Sequence, residues 1–324
     1  PYFAIVGSFH AKFLRYLLSS NMGEVLTVFL GVVGAEFGVA MRLEASAVRA
    51  WKQGVVAAHL AEAAVEQALR ELAADAPWVT VGEDGALTFY SRALTPLPRL
   101  PRSRVPLGAG EFSYRITDEE ARLNLNTSPP ERVDRLLAAL GLDKAARDTI
   151  VDSLLDWRDA NEEHRLHGAE SEDHYLKLPV PYRARNANLE SVTELLQIRG
   201  VTRELYEGRA GRDGREGRPG LAELVTVHTP GVVNLNTAPP EVLRALGLSE
   251  AEIGEILQTR RQGPYATLPG RFGGRNLSVT TRTFRIEGEG WVDGRVRARV
   301  RAIVQRRVEA TGPGYVVLEW TALQ

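Results

Sequence analysis

The sequence predicts an α+β fold in which a long N-terminal helix packs on an antiparallel sheet and a large all-helical insert interrupts that sheet. Three observations predict it. No proline occurs between Pro1 and Pro77, strand-like segments flank a helical middle on both sides, and that middle holds a duplicated Asn-Leu-Asn-Thr motif. The 324 residues, 44% hydrophobic and 25% charged, suffice for real cores and exclude bulk disorder. A balance of 40 basic against 41 acidic side chains gives no whole-molecule attraction to nucleic acid or anionic lipid. The absence of cysteine excludes disulfides, thiolate zinc sites, iron–sulfur clusters and a cysteine nucleophile.

Residues 1–23 read as a leader or N-terminal flank, rich in Phe and Leu with only Lys12 and Arg15 charged. Residues 24–75 read as one helix because Ala, Leu, Val and Glu dominate from Gly23 to Ala74. Such a helix extends roughly 78 Å, so part of it must protrude from a small domain. Its first part, 24–41, is apolar on every side from Val25 to Met41 except at Glu36, which suits a membrane or filament-core segment better than a buried core helix. The uncharged run Val25 to Ala35 is nonetheless short beside the roughly 20 residues of a spanning helix. The part over 42–75 is amphipathic: Leu60, Ala61, Ala64, Val65, Ala68, Leu69 and Leu72 share one face, with Glu62, Glu66 and Arg70 on another.

The β domain comprises 76–117 and 278–324. Ala86–Ser91 and Glu111–Thr117 read as strands around a Pro- and Arg-rich loop. Thr283–Val292 and Arg295–Gln305 read as a hairpin on Asp293-Gly294, followed by a strand at Tyr315–Leu323. The alternating Arg295, Arg297, Arg299 and Arg301 fit a solvated strand face. The insert spans 118–277. In it Asn124–Glu131 returns as Asn234–Glu241, each copy opening a Leu-rich helix, with Thr127 or Ser128 expected to cap the first. Gly208 to Gly220, with glycine at every third position, reads as a flexible, charged loop, since four triplets cannot hold a triple helix.

Chemistry concentrates in one acidic stretch. Asp148, Asp152, Asp156 and Asp159 share a helix face, and a stack of like charges without interleaved basic residues asks for a cation. The loop that follows adds Asn161, Glu162, Glu163, Glu170, Glu172 and Asp173, all oxygen donors. Calcium suits such a donor set, a merely solvated acidic loop is an equal alternative, and zinc on His164, His167 and His174 is a weaker one. GxSxG, HExxH and Walker motifs are absent, which places an enzyme low.

The chain resembles the type II secretion minor pseudopilin K family, also called general secretion pathway protein K. The stretches that carry the resemblance are AEFGVAMRLEASAVRAWKQGVVAAHLAEAAVEQAL (35–69), DEEARLNLNT (118–127), DWRDANEEHRLHGAESEDHYLKLPVPYRARNANLESVTELLQIRGVT (156–202) and VVNLNTAPPEVLRALG (232–247). The resemblance implies a pilin-like, non-enzymatic subunit whose insert is built from two SAM-like, helix-hairpin repeats. Its apolar helix sits first in the inner membrane and then in the pseudopilus core, while the globular part is periplasmic and caps the tip. Implied partners are minor pseudopilins I and J, the inner-membrane assembly platform, and the secreted substrate or outer-membrane secretin. Structural calcium is implied in the insert, and its ligands transfer to Asp156, Asp159, Asn161, Glu170 and Asp173. Prepilin-type processing after Gly23 leaves Glu24 first. The fifth mature position, a glutamate in most pilins, is Val28, as fits a subunit with no amino terminus above it to neutralise. A rival reading is a helix-hairpin-helix nucleic-acid module centred on Val192–Thr202, although the charge around the acidic loop opposes it and no nucleic-acid partner is expected.

Overall fold

The computed structural model describes residues 21–82, 84–209, 217–309 and 312–323; the expected leader over 1–20 and the centre of the glycine-spaced loop lie outside them. The chain divides into two compact units, residues 1–57 and 58–324. Helix α1, Asn21–Leu72, runs through the division. In the first unit its large apolar side chains, among them Phe29, Phe37, Leu43 and Trp51, are exposed. An 18-residue window of α1 with mean hydropathy 1.6 and none of its residues buried is long and apolar enough to cross a membrane, by length and composition. Expected to reach residue 75, α1 stops at Leu72. The Ala73 N–H still donates to the Leu69 carbonyl at 3.0 Å, but that of Ala74 reaches only Glu71, at 3.4 Å, as the last turn tightens ahead of Pro77.

In the second unit, β1 (Trp78–Val81) and β2 (Leu87–Tyr90) form a hairpin, followed by β3 (Val105–Leu107) and β4 (Gly110–Asp118). A 3₁₀ turn at Glu119–Ala121 then opens the insert. The insert contains β5 (Leu123–Asn124), α2 (Pro130–Ala139), α3 (Lys144–Arg158), α4 (Arg203–Glu207), β6 (Gly208–Arg209), β7 (Arg218–Pro219), α5 (Leu221–Leu224), β8 (Val225–Thr226), β9 (Val233–Asn234), α6 (Pro240–Ala245), α7 (Glu250–Gln262) and β10 (Leu277–Ser278). The chain closes with β11 (Thr283–Val292), β12 (Arg295–Glu309) and β13 (Gly312–Leu323).

The main sheet has the order β13-β12-β11-β4-β3, with every neighbour antiparallel. Asp293 and Gly294 both take positive φ, 52° and 72°, as the twist-matching two-residue turn requires. On β12, Arg299 and Arg301 lie directly opposite Glu289 and Glu287 and pair with them at 3.0 Å, so this arginine row is half of a cross-strand ion-pair ladder. The amphipathic face of α1 buries Leu60, Ala61, Ala64, Val65, Ala68 and Leu72. The sheet strands bury Phe112, Tyr114, Ile116, Phe284, Ile286, Ala302 and Val304. Helix and sheet approach closely at Gly288, where a Cβ would stand 2.6 Å from the Ala61 carbonyl oxygen. Nearby, Arg102 donates two hydrogen bonds to the buried Glu71 carboxylate at 2.6 and 3.0 Å, and the Tyr114 hydroxyl adds a third.

The insert is not all-helical. Short parallel ladders, β5 with β8 and β9 with β10, stitch it together, and 159–190 is largely irregular. Val192–Thr202 holds a single 3₁₀ helix and a turn at Gly200 before α4. Nor do Thr127 or Ser128 cap α2: Pro129 is the N-cap and makes no side-chain bond, with Pro130 first in the helix, and Pro239 and Pro240 repeat this at α6. Gly208–Arg209 pairs with Arg218–Pro219 at the base of the glycine-spaced loop, whose residues 210–216 lie outside the described set.

Gly288→Val therefore drives a side chain into the α1 backbone. The expected cost is about 1–3 kcal/mol of overpacking. Urea unfolding should show a lower midpoint at an unchanged m-value.

Candidate functional site

The duplicated asparagines build the frame of the site. Asn124 Oδ1 accepts the Asn126 and Thr127 N–H groups at 2.7 and 3.2 Å, and Asn234 Oδ1 accepts that of Asn236 at 3.0 Å, so the first asparagine of each copy folds its own motif. The second clamps a distant segment. Asn126 donates to the Leu189 carbonyl and accepts the Leu189 N–H, both at 2.9 Å, while Asn236 makes the same pair with Tyr265 at 3.0 and 2.7 Å. Arg158, closing α3, donates to the Leu125 carbonyl, and Arg260 near the end of α7 donates to that of Leu235. The copies diverge in the path between helix end and clamped segment: residues 263–264 suffice after α7, whereas 159–188 intervene after α3. The acidic loop is thus an elaboration of one repeat at a single point.

Asp143 caps α3 through the Ala146 N–H, and the helix presents Ile150, Val151, Leu154 and Trp157 to the insert core. Behind the loop, Trp157, Tyr175 and Tyr182 form an aromatic wall with ring centroids 5.2–6.2 Å apart. The carboxylate stack on α3 has protein partners, contrary to the expectation that no basic residue serves it. Lys144 binds Asp148 at 2.7 Å and holds its carboxyl below the usual range, Asp152 accepts the His167 N–H, and Arg165 Nη1 bridges Asp156 and Asp159 at 2.5 and 2.6 Å. Gly168 lies so close to Asp156 that a Cβ there would overlap its Oδ2.

Of the five residues singled out for calcium, Asp156 and Asp159 share Arg165. Asn161 Nδ2 donates to Asp159 Oδ1 at 2.8 Å, and Asp173 accepts the Glu170 N–H at 2.8 Å. Glu170 differs from the rest. It is 1% exposed, and neither of its carboxylate oxygens has a hydrogen-bond partner. Burial, then the charges of Asp156, Glu162, Asp159 and Asp173, push it up to about 7. Two residues of this environment are hard to single out from sequence: Glu162, one acidic side chain among many, and Arg165, the cation that the protein itself supplies. The histidines scatter, His164 toward Asp173, His167 toward Asp152 and His174 against the Tyr175 ring, so the three do not converge on one point. Among the described residues no three His, Asp or Glu side chains converge in metal-holding geometry. What the arrangement offers is a buried carboxylate without hydrogen-bond partners, facing the charges of Asp156, Glu162, Asp159 and Asp173, the donor chemistry of a hard cation.

Taken together, the last part of α1, the antiparallel sheet beside it and the duplicated insert that interrupts that sheet make a pilin-like fold. Residues 116–208 match the family model of type II secretion system protein K. Type II secretion system protein K of Pectobacterium carotovorum subsp. carotovorum is 32% identical over 121 residues, 33% of this chain and 37% of that protein. The protein of the same name from Pseudomonas aeruginosa is 31% identical over 159 residues, 45% of this chain and 44% of that one. The chain thus spans less than half the length of these relatives. Its fold is similar to a chain in the crystal structure of the GspK-GspI-GspJ complex from the enterotoxigenic Escherichia coli type 2 secretion system. The TM-score is 0.64 at 18% identity, over 87% of this chain and 99% of that one. The resemblance to the protein K family holds in family model, relatives and fold.

Asn126→Ala should cost about 1–3 kcal/mol by leaving both Leu189 backbone groups unpaired. Limited proteolysis should then cut within 159–188, whereas Asn236→Ala, of similar cost, should leave that loop protected.

Proposed function

We propose that the chain is a minor pseudopilin of a type II secretion system, a structural, non-catalytic subunit. It caps the pseudopilus tip and helps initiate assembly for export of folded proteins across the outer membrane. The observation that carries this is the match of residues 116–208 to protein K, in a chain with a helix apolar enough to cross a membrane. The apolar part of α1 anchors the subunit in the inner membrane and later packs in the filament core, with the globular part in the periplasm. Processing after Gly23 leaves Glu24 first. Val28 at the fifth mature position spares a tip subunit an unpaired buried carboxylate, which costs several kcal/mol, and Glu36 is the one charge within the apolar segment. By likeness to the solved complex, the partners are minor pseudopilins I and J. The assembly platform acts below, and the secreted substrate or the secretin lies above. Nothing in the comparisons favours nucleic acid.

In this reading the acidic loop is a structural calcium site. Its support is the pair of unpartnered, buried Glu170 oxygens facing the carboxylates of Asp156, Asp159 and Asp173, with Asn161 bound to Asp159. Calcium would neutralise Glu170 and draw the loop to the floor formed by α3.

Two experiments test these readings separately. Deleting the gene in its source organism should leave type II substrates inside the cell, and a plasmid copy should restore export; undiminished export in the deletion strain contradicts the secretion role. Millimolar calcium, against chelator, should raise the melting temperature of the chain. The stabilisation reaches about 2.7 kcal/mol at about 100 times the dissociation constant. Glu170→Gln should abolish the rise, and no rise in the wild type contradicts the calcium site.

A further inference from the structure

The point where the chain leaves the sheet for the insert carries three consecutive acids, Asp118, Glu119 and Glu120, at 2%, 0% and 7% exposure. Asp118 Oδ1 accepts the Glu120 N–H at 2.8 Å and the Thr281 hydroxyl at 2.6 Å. Its Oδ2 accepts Asn234 Nδ2 at 2.7 Å and the Thr237 hydroxyl at 2.6 Å. Four neutral donors fill its oxygens and favour the ionised form, but no counter-charge reaches it, and burial pushes its carboxyl above the usual range. Glu119 takes both guanidinium contacts of Arg285, at 2.8 and 2.9 Å, and one from Arg122 at 3.1 Å. Glu120 Oε1 accepts the Arg282 N–H at 3.1 Å and the Thr283 hydroxyl at 2.9 Å.

The groups facing Glu120 can be counted element by element. Its own turn brings Asp118 and Glu119, with Arg122 just beyond; β11 brings Arg285 and, farther along, Glu287, while β9 contributes only the neutral Asn234. The Arg282 side chain, on the segment returning to β11, is exposed. Three buried carboxylates therefore meet two buried guanidinium groups, and the set carries one negative charge too many. Burial of an uncompensated charge is costly enough that a proton is taken up instead. The four donors on Asp118, against two on Glu120, favour Glu120 as the holder of that proton within the pair.

We propose that this joint is a proton-dependent latch, in which a neutral Glu120 beside an ionised Asp118 keeps the insert seated on the sheet. Its parts join three stretches of chain: the exit from β4, the second asparagine motif of the insert, and the return into β11. A cavity of about 510 Å³, lined by Asp118, Ala121, Arg122, Thr237 and Arg285, lies against the joint. Ionisation of Glu120 sets it against Asp118 while Arg122 and Arg285 are held by Glu119, and the grip on the returning strand weakens. Burial and the Asp118 charge push Glu120 up to about 7. An acid raised on folding gives stability that is complete below its unfolded value and lost as pH rises through the folded one. The latch thus holds in mild acid and loosens above neutrality, whether or not the secretion reading is right.

The test is the melting temperature of the full chain in detergent between pH 5 and pH 8, for the wild type at the joint, Glu120→Gln and Thr283→Val, each also carrying Glu170→Gln because Glu170 is likewise pushed up to about 7. The wild type should lose melting temperature as pH passes about 7. Glu120→Gln, folded by circular dichroism, should keep the mild-acid value with most of that slope gone. Thr283→Val removes a donor that favours the ionised form and preserves shape, so the loss should move to higher pH. A wild-type slope that survives in Glu120→Gln, or a Thr283→Val profile that does not move, overturns the latch.

Discussion

Much of the second unit depends on a closure constraint met at one carboxylate. The chain leaves the sheet after β4, travels through the insert, and must return so that Phe284 pairs with Asp118 and Ile286 with Ile116. Loop closure over such a distance costs entropy that grows slowly with length, so few contacts suffice if they are placed at the junction. Asp118 supplies them, binding Asn234 and Thr237 of the insert and Thr281 of the returning segment at once. With the return fixed, β11 and β12 complete the surface on which Gly288 lets α1 approach, and the Arg–Glu ladder lies along neighbouring strands.

The same economy shows in the insert. Two copies of one motif fold by the same local rule, an asparagine closing its own turn and a second holding a remote irregular segment through both backbone groups. Because those clamps fix both ends of the connecting path, the path itself is free to lengthen in one copy. The acidic loop exploits that freedom, and its aromatic floor of Trp157, Tyr175 and Tyr182 gives it a rigid base. Glu170 stands there at a cost no protein partner offsets, consistent with a site completed by a cation.

Local features were legible in the sequence. The proline-free helix, the Asp293-Gly294 hairpin and the duplicated motif follow from backbone rules that act within a few residues. Long-range partners were not. Nothing near Asn126 marks Leu189 as its partner, and nothing near Asp118 marks Thr281, because those pairings are set by the return of the chain. Helical spacing correctly placed Asp148, Asp152 and Asp156 on one face, yet it gave no sign that Lys144, Arg165 and the His167 N–H answer them. The short strand Trp78–Val81 escaped for a related reason: four residues ahead of Gly82 signal little until β2 pairs with them.

The central claim is that this chain works in a pseudopilus tip beside its fellow minor pseudopilins. Native mass spectrometry of the full chain, co-expressed with minor pseudopilins I and J of the same system and purified in calcium, tests it most directly. The account predicts a complex holding one copy of each. A chain that emerges alone, while I and J remain associated with each other, would contradict it.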